Sequence, residues 1–184
     1  MEGSAFSGAK FLDPAMIIRQ LGITVGSKIA DFGCGSGYFS LPLAHSVGGD
    51  GLVTAVDILP QALETVESKA RFEGLSNLET RRANLEGEKG SGLEEGKYDW
   101  VILKDMLFQN TDKVRILSEA NRVLKMGGSM LVVEWTDPVG GIGPEASMRI
   151  KKEDLKEMLS SSGFPVQREI EAGKFHYAFV AQKQ

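Results

Sequence analysis

The sequence predicts an α/β fold: a doubly wound, mostly parallel sheet with helices on both faces. Two observations carry that expectation. Short apolar runs alternate with amphipathic segments along most of the 184 residues, and alternating β and α units with short connections favour parallel strands. The chain then closes on two strand-like segments with no helix between them, which must run antiparallel to each other.

The elements can be justified in order. "SKIADFG" (27–33) and "LVTAVDI" (52–58) are apolar, rich in β-branched residues and end at turn residues, so both read as strands. "YDWVILKD" (98–105) and "SMLVVEW" (129–135) are almost continuously apolar, the pattern of strands covered on both faces. "LETRRAN" (78–84) is a weaker strand. Leu63, Val66 and Ala70 share one helical face, as do Val114, Leu117, Asn121 and Leu124. The second of these helices is expected to stop at Gly127 and Gly128, a left-handed terminator. Leu155, Met158 and Leu159 mark a helix closing at Gly163, ahead of the strands "FPVQREI" and "FHYAFVAQK". "EGEKGSGLEEGK" (86–97) reads as a polar surface loop. With no repeat or linker, one domain over residues 1–184 is expected, residues 1–20 forming a lid or helix segment.

Composition narrows the function classes. A formal net charge of −4 gives no electrostatic reason to expect a nucleic-acid partner. The basic pairs Arg81-Arg82 and Lys151-Lys152 are surrounded by acidic residues and read as solvated faces. The single cysteine, Cys34, excludes a disulfide framework and a cysteine-based metal site, and no metal is expected. "MEGSAFSGAKFLD" lacks a signal-peptide core, and no run approaches the length of a membrane span. A soluble cytoplasmic protein is the expectation.

The chemistry is concentrated in "ADFGCGSGYFS" (30–40), where Gly33, Gly35 and Gly37 alternate directly behind a strand. In a doubly wound sheet, ligands sit beyond the carboxyl ends of the strands at the switch point. A dinucleotide fingerprint reads G-x-G-x-x-G, but Tyr38 stands where its third glycine would fall. No Gly-Lys-Ser/Thr follows, which excludes a phosphate-binding P-loop. Asp31 ends the strand before the loop and Asp57 closes the next, where a carboxylate can accept both ribose hydroxyls of an adenosine. A plain tight turn, with Asp57 capping a helix before Pro60, is the competing reading.

"IADFGCGSGYFSLPLA" followed by "VTAVDI" resembles motifs I and II of class I S-adenosylmethionine (SAM)-dependent methyltransferases. "YDWVILKDMLFQ", "ILSEANRVLKMGGSMLVVEW" and "GFPVQREIEAGKFHYAFVAQK" follow in that family's order. The chain is similar to small stand-alone members of the ubiquinone/menaquinone-biosynthesis methyltransferase group, where "FLDP", "MRI" and "HYAFVA" recur. The resemblance implies a Rossmann-like seven-stranded sheet with an antiparallel last strand, and SAM as cofactor with S-adenosylhomocysteine as its product. It implies that Asp31, Gly33, Cys34, Gly35 and Gly37 wall the methionine part. Asp57 would hold the ribose, with Ile58 against the adenine and Asn84 and Leu85 flanking it; the family often has Asp at the position of Asn84. Lys104 and Asp105 would border the amino-acid end and the reaction chamber.

A sulfonium methyl is already activated, so the protein mainly aligns acceptor and methyl carbon and excludes water. An oxygen or nitrogen acceptor that must lose a proton wants a base nearby, and Asp105, Glu134 and His176 are the candidates, ahead of Lys104. His176 also fits as an edge residue of the last strand, and His45 reads as surface. Phe6, Phe11, Leu107, Phe108, Trp135 and Met148 form a candidate wall that suggests a small apolar or aromatic acceptor. Trp100 and Trp135 also fit as strand core. Residues 1–13, rich in small residues, are expected to act as a lid. "KDML" at 104–107 replaces the Asn/Asp-Pro-Pro-Tyr/Phe signature of base and glutamine methylation. A SAM-binding protein without turnover and, further off, an NAD-binding oxidoreductase are the other functions compatible with these residues. The oligomeric state is open.

Overall fold

A computed structural model describes residues 12–137 and 141–184. Helix α1 (Pro14–Leu21) leads into β1 (Lys28–Phe32), α2 (Ser40–Val47), β2 (Leu52–Asp57), α3 (Pro60–Phe72) and β3 (Leu78–Arg82). The chain continues through β4 (Tyr98–Lys104), α4 (Lys113–Val123), β5 (Leu124–Trp135), α5 (Lys152–Ser161), β6 (Val166–Ile170) and β7 (His176–Gln182). The strands form one seven-stranded sheet in the order β3-β2-β1-β4-β5-β7-β6. Neighbours from β3 to β5 pair in parallel, whereas β7 pairs antiparallel with both β5 and β6. The mixed sheet expected from the sequence is therefore present, with β7 alone reversed. After β3 the chain returns to the other side of β1, so the connections leaving β1 and β4 diverge and open a crevice at their carboxyl ends.

Side chains alternate between the two faces of each strand, and this assigns the helices. Ile29, Val53, Ile102, Leu131 and Val133 pack with Ile17 and Leu21 of α1 and Leu43 and Val47 of α2. Ala30, Val56, Val101, Leu103 and Val132 pack on the other side with Ile116, Leu117 and Val123 of α4 and Leu155 and Leu159 of α5. Ala55 meets Leu63 and Val66 of α3. Helix α1 begins where Asp13 accepts the amide hydrogens of Ala15 and Met16, and it ends at left-handed Gly22. No helix among the described residues is long and apolar enough to cross a membrane.

Two sequence expectations need correction. Helix α4 ends at Val123, four residues ahead of the glycine pair, because Leu124 turns extended and pairs with Tyr98. Gly127 and Gly128 lie inside β5, where the register jumps from the Tyr98–Leu124 pair to Trp100–Ser129. The carbonyls of Asn121 and Leu124 accept from the Lys183 ammonium at 2.6 and 2.8 Å, so a distant lysine caps this helix. The polar loop at 86–97 is likewise more than a surface excursion. Buried Glu119 of α4 accepts from the Ser91 amide at 2.8 Å, from the Ser91 hydroxyl and from Arg122 at 2.7 Å. Arg122 also donates to the Leu93 carbonyl at 2.7 Å. Burial pushes the Glu119 carboxyl up, but the Arg122 and Ser91 hydrogen bonds more than offset this and hold it below the usual range.

Removing that carboxylate leaves Ser91 and Arg122 without their shared partner. Glu119→Ala is expected to lower unfolding free energy by about 2–3 kcal/mol, typical for breaking hydrogen bonds to a charged, largely buried group. Urea denaturation followed by circular dichroism measures it; a loss no larger than that of an exposed α4 glutamate would show that the loop is not tied down.

Candidate active site

The loop after β1 has a backbone only glycine adopts without strain at three positions. Gly33, Gly35 and Gly37 have φ of 72°, 52° and 84°. The amides of Gly33 and Cys34 both donate to the Val56 carbonyl, at 2.8 and 3.0 Å, which pins the loop to the end of β2. The Gly35 amide donates to one carboxylate oxygen of Asp57 at 2.9 Å, and the Leu59 amide donates to the other at 2.9 Å. Asp57 therefore caps the turn into α3, as the competing reading has it, while each oxygen keeps a further lone pair for a ligand. A Cβ on Gly33 would stand 3.1 Å from the Met106 side chain, which would have to give way to it.

Beyond the loop lies a cleft of about 440 Å³, lined by Gly33, Gly35, Asp57, Ile58, Asn84, Leu85 and Met106 among others. That volume lies within the roughly 300–1,000 Å³ of small-ligand sites. Four other residues of the expected cofactor set do not line it. Asp31 is 2% exposed and accepts from the Ser40 hydroxyl at 2.6 Å; burial pushes its carboxyl up to about 6. Cys34 is buried and its thiol is pushed strongly up by that burial, which leaves it inert as a nucleophile. Gly37 lies under α3, where a Cβ would meet Val66 at 3.1 Å. Lys104 stands over the ring of Tyr38, 5.7 Å from its centroid, and Tyr38 donates its hydroxyl to the Leu12 carbonyl.

The ends of β4, β5 and β7 carry a second group of residues. Asp105 has φ 52°, the one positive φ of a non-glycine among the described residues, and such strain concentrates at functional sites. Its carboxylate pairs with the Lys104 ammonium, and His176 Nε2 lies 3.2 and 3.3 Å from its two oxygens. The register pairs Trp135 with His176, and their rings pack with centroids 4.2 Å apart. A Cβ on Gly143 would meet the Trp135 ring at 2.5 Å, and the Arg149 guanidinium stands 5.6 Å from its centroid. Arg149 also donates to the carbonyls of Thr136, Ile142 and Pro144, folding this connection over Trp135.

Glu134, expected among the bases, is fully buried on the α4 face. One oxygen accepts from the Leu107 amide at 2.8 Å, so it holds the turn that presents Met106 to the cleft. Burial, with the neighbouring Asp105 charge, pushes its carboxyl up to about 8. The expected acceptor wall is also revised. Leu107 is fully buried in the core, whereas the neighbouring Met106, buried in the same cluster, lines the cleft. Phe108 and Trp135 are half-buried and Met148 is exposed, whereas Phe6 and Phe11, with residues 1–11 of the expected lid, lie outside the described residues. His45 is exposed and meets Glu73 at 2.7 Å. Among the described residues, no three His, Cys, Asp or Glu side chains are grouped to hold a metal.

Sequence reasoning missed Met106, Ser40 and Arg149. Met106 is one of several adjacent apolar residues, and the hydrogen bonds of Arg149 run to backbone carbonyls, which leave no residue pattern.

A sheet of this order with only β7 reversed, and a glycine-loop cleft at its switch point, defines the Rossmann-like SAM-dependent methyltransferase architecture. A family model described as a methyltransferase domain matches residues 23–179, and the chain belongs to that family. It is 31% identical over 124 residues to a demethylmenaquinone methyltransferase of Lactococcus lactis, covering 67% of this chain and 48% of that protein. It is 29% identical over 174 residues to a ubiquinone/menaquinone biosynthesis C-methyltransferase of Haemophilus ducreyi, covering 78% of this chain and 66% of the relative. The chain thus spans between about half and two thirds of the length of these curated relatives. A crystal structure of a SAM-dependent methyltransferase from Aquifex aeolicus superposes with a TM-score of 0.87 at 22% identity, covering 95% of this chain and 91% of that one.

The buried Glu134 carboxyl makes a pH-dependent claim. Its folded pKa of about 8 lies above the ordinary 4.5, so the native state holds a proton that the unfolded chain releases. Its contribution is whole below about pH 4.5 and is lost as pH rises toward 8, at up to about 1.4 kcal/mol per pH unit. Glu134→Gln keeps the neutral shape and removes the titration. Urea melts at pH 5 and pH 8 are expected to show the variant gaining on the wild type at the higher pH; an unchanged difference would contradict it.

Proposed function

We propose that the chain transfers the SAM methyl group to a small acceptor with an apolar or aromatic body, mainly by in-line positioning. The observation that carries this is the glycine loop locked to Asp57 at the switch point, with the cleft opening directly beyond it. The residues fit SAM. Gly33 and Gly35 present bare backbone to the methionine part, Asp57 has lone pairs left for the ribose hydroxyls, and Ile58, Asn84 and Leu85 border the adenine end. Lys104 and Asp105 stand toward the amino-acid end, with Asp31 and Cys34 beneath the loop as its support. When bound, SAM supplies a methyl carbon whose bond pair returns to sulfur as the new bond to the acceptor forms.

The chain's own part is orientation and exclusion of water. Trp135 and Phe108 offer half-buried aromatic surface near the ends of β5 and β4. The relatives named for menaquinone and ubiquinone biosynthesis support an aromatic acceptor. One methyltransferase domain over residues 1–184, in the cytoplasm, belongs to the same reading, as does the lack of a nucleic-acid partner, which the net charge of −4 supports. Tyr38 at the third-glycine position speaks against NAD.

S-Adenosylhomocysteine is expected to bind and raise the melting temperature, since a ligand of the native state stabilises it. Asp57→Ala is expected to weaken that binding by about 1.5–3 kcal/mol, the range for hydrogen bonds to a charged group, in isothermal titration calorimetry. Stabilisation by NAD with none by S-adenosylhomocysteine would overturn the reading. Binding without methyl release from SAM across mixed acceptors would instead favour a SAM-binding protein without turnover.

A further inference from the structure

Among the described residues, three buried side-chain polar atoms have no hydrogen-bond partner: Asp105 Oδ1, Glu134 Oε2 and His176 Nδ1. All three belong to one rim of the sheet, formed by the ends of β4 and β5 and the start of the adjacent β7. Asp105 Oδ1 has the His176 ring nitrogen 3.2 Å away in an ion-pair contact; buried polar groups are normally satisfied, so Glu134 Oε2 and His176 Nδ1 are the ones that call for a missing partner. Glu134 lies on the α4 face and is committed to the turn after β4. Asp105 and His176 belong together on the other side.

Their arrangement is directional. His176 Nε2 faces the Asp105 carboxylate, 3.3 Å from Oδ2, so its hydrogen points there and the lone pair of the neutral ring resides on Nδ1. A carboxylate on one imidazole nitrogen fixes the tautomer and steadies the charge that forms when the other nitrogen takes a proton. Trp135 packs on the ring, and the strained φ of Asp105 aims its carboxylate while Lys104 balances its charge. His176 also borders a hollow of about 410 Å³ with Thr136, Lys152 and Tyr177, beside the β6–β7 connection.

We propose that His176 is the general base of the methyl transfer and that the acceptor is a phenol, whose hydroxyl is the missing partner of Nδ1. This rests on the methyl-transfer reading above. The phenol O–H bond breaks, its electron pair stays on the phenolate as the activated nucleophile, and the proton passes to Nδ1. The imidazolium so formed faces the Asp105 carboxylate, which is a positioning residue. Nδ1 is enclosed in this structure, so the hydroxyl reaches it by displacing what covers it.

The test uses the full chain, labelled with nitrogen-15 at histidine and saturated with S-adenosylhomocysteine, with phenol and anisole as probes. Long-range proton–nitrogen spectra are expected to show His176 protonated at Nε2 and bare at Nδ1. Phenol is expected to shift the Nδ1 resonance, and anisole, which has no hydroxyl, to leave it unmoved. Asp105→Asn is expected to yield a mixture of His176 tautomers. His176→Gln retains a donor toward Asp105 but no base, and is expected to slow methyl transfer to a panel of phenols by about 10²–10⁴-fold with S-adenosylhomocysteine affinity unchanged. A hydrogen on Nδ1, an Nδ1 resonance indifferent to phenol, a variant as fast as the wild type, or no transfer to any phenol would each overturn the proposal. Failure to bind S-adenosylhomocysteine would strike the methyl-transfer reading itself.

Discussion

The Asp57 carboxylate joins two backbone segments that would otherwise be independent. One oxygen holds the Gly35 amide and the other holds the Leu59 amide, so the loop after β1 and the turn after β2 move as one body. The amides of Gly33 and Cys34 on Val56 complete the attachment. The loop accepts this geometry only because Gly33, Gly35 and Gly37 sit at positive φ. Side chains there would fill the cleft wall or strike Met106 and Val66. A cleft with preset backbone and a fixed acceptor carboxylate needs little ordering when a ligand arrives.

The second half of the site depends on the strand ends across the switch point. Alternation along β5 sends Glu134 to the α4 face and Trp135 to the α1 face. The same two-residue period lets one strand brace the turn bearing Met106 with one side chain and the imidazole of His176 with the next. The reversal of β7 matters here: it brings the first residue of that strand, His176, to the carboxyl ends of β4 and β5. A parallel last strand would have placed that residue at the opposite edge.

Much of this was legible in the sequence, for identifiable reasons. The strands were readable because buried parallel strands are continuously apolar, and Asp57 because it closes such a run opposite the glycine loop. The end of α4 was not readable, since Leu124 keeps helical phase while its backbone pairs with Tyr98, and the capping Lys183 is 59 residues away. Glu134 looked like a base because its residue type and strand are right, but type does not reveal which face it takes. Leu107 and Met106 are adjacent and both apolar, so residue type does not say which of them lines the cleft. The tie of Arg149 runs to carbonyls, which any sequence supplies.

Under the proposed function, the cleft beyond β1 and β2 holds an adenosine-type cofactor through Asp57, with its amino-acid end beside Gly33. A crystal structure of the chain with S-adenosylhomocysteine tests it most directly. Both ribose hydroxyls are expected within hydrogen-bond reach of Asp57, the adenine between Ile58 and Leu85, and the sulfur on the side of Asp105 and His176. S-Adenosylhomocysteine bound elsewhere, or an Asp57 carboxylate that only caps the turn while the ribose contacts other groups, would contradict it.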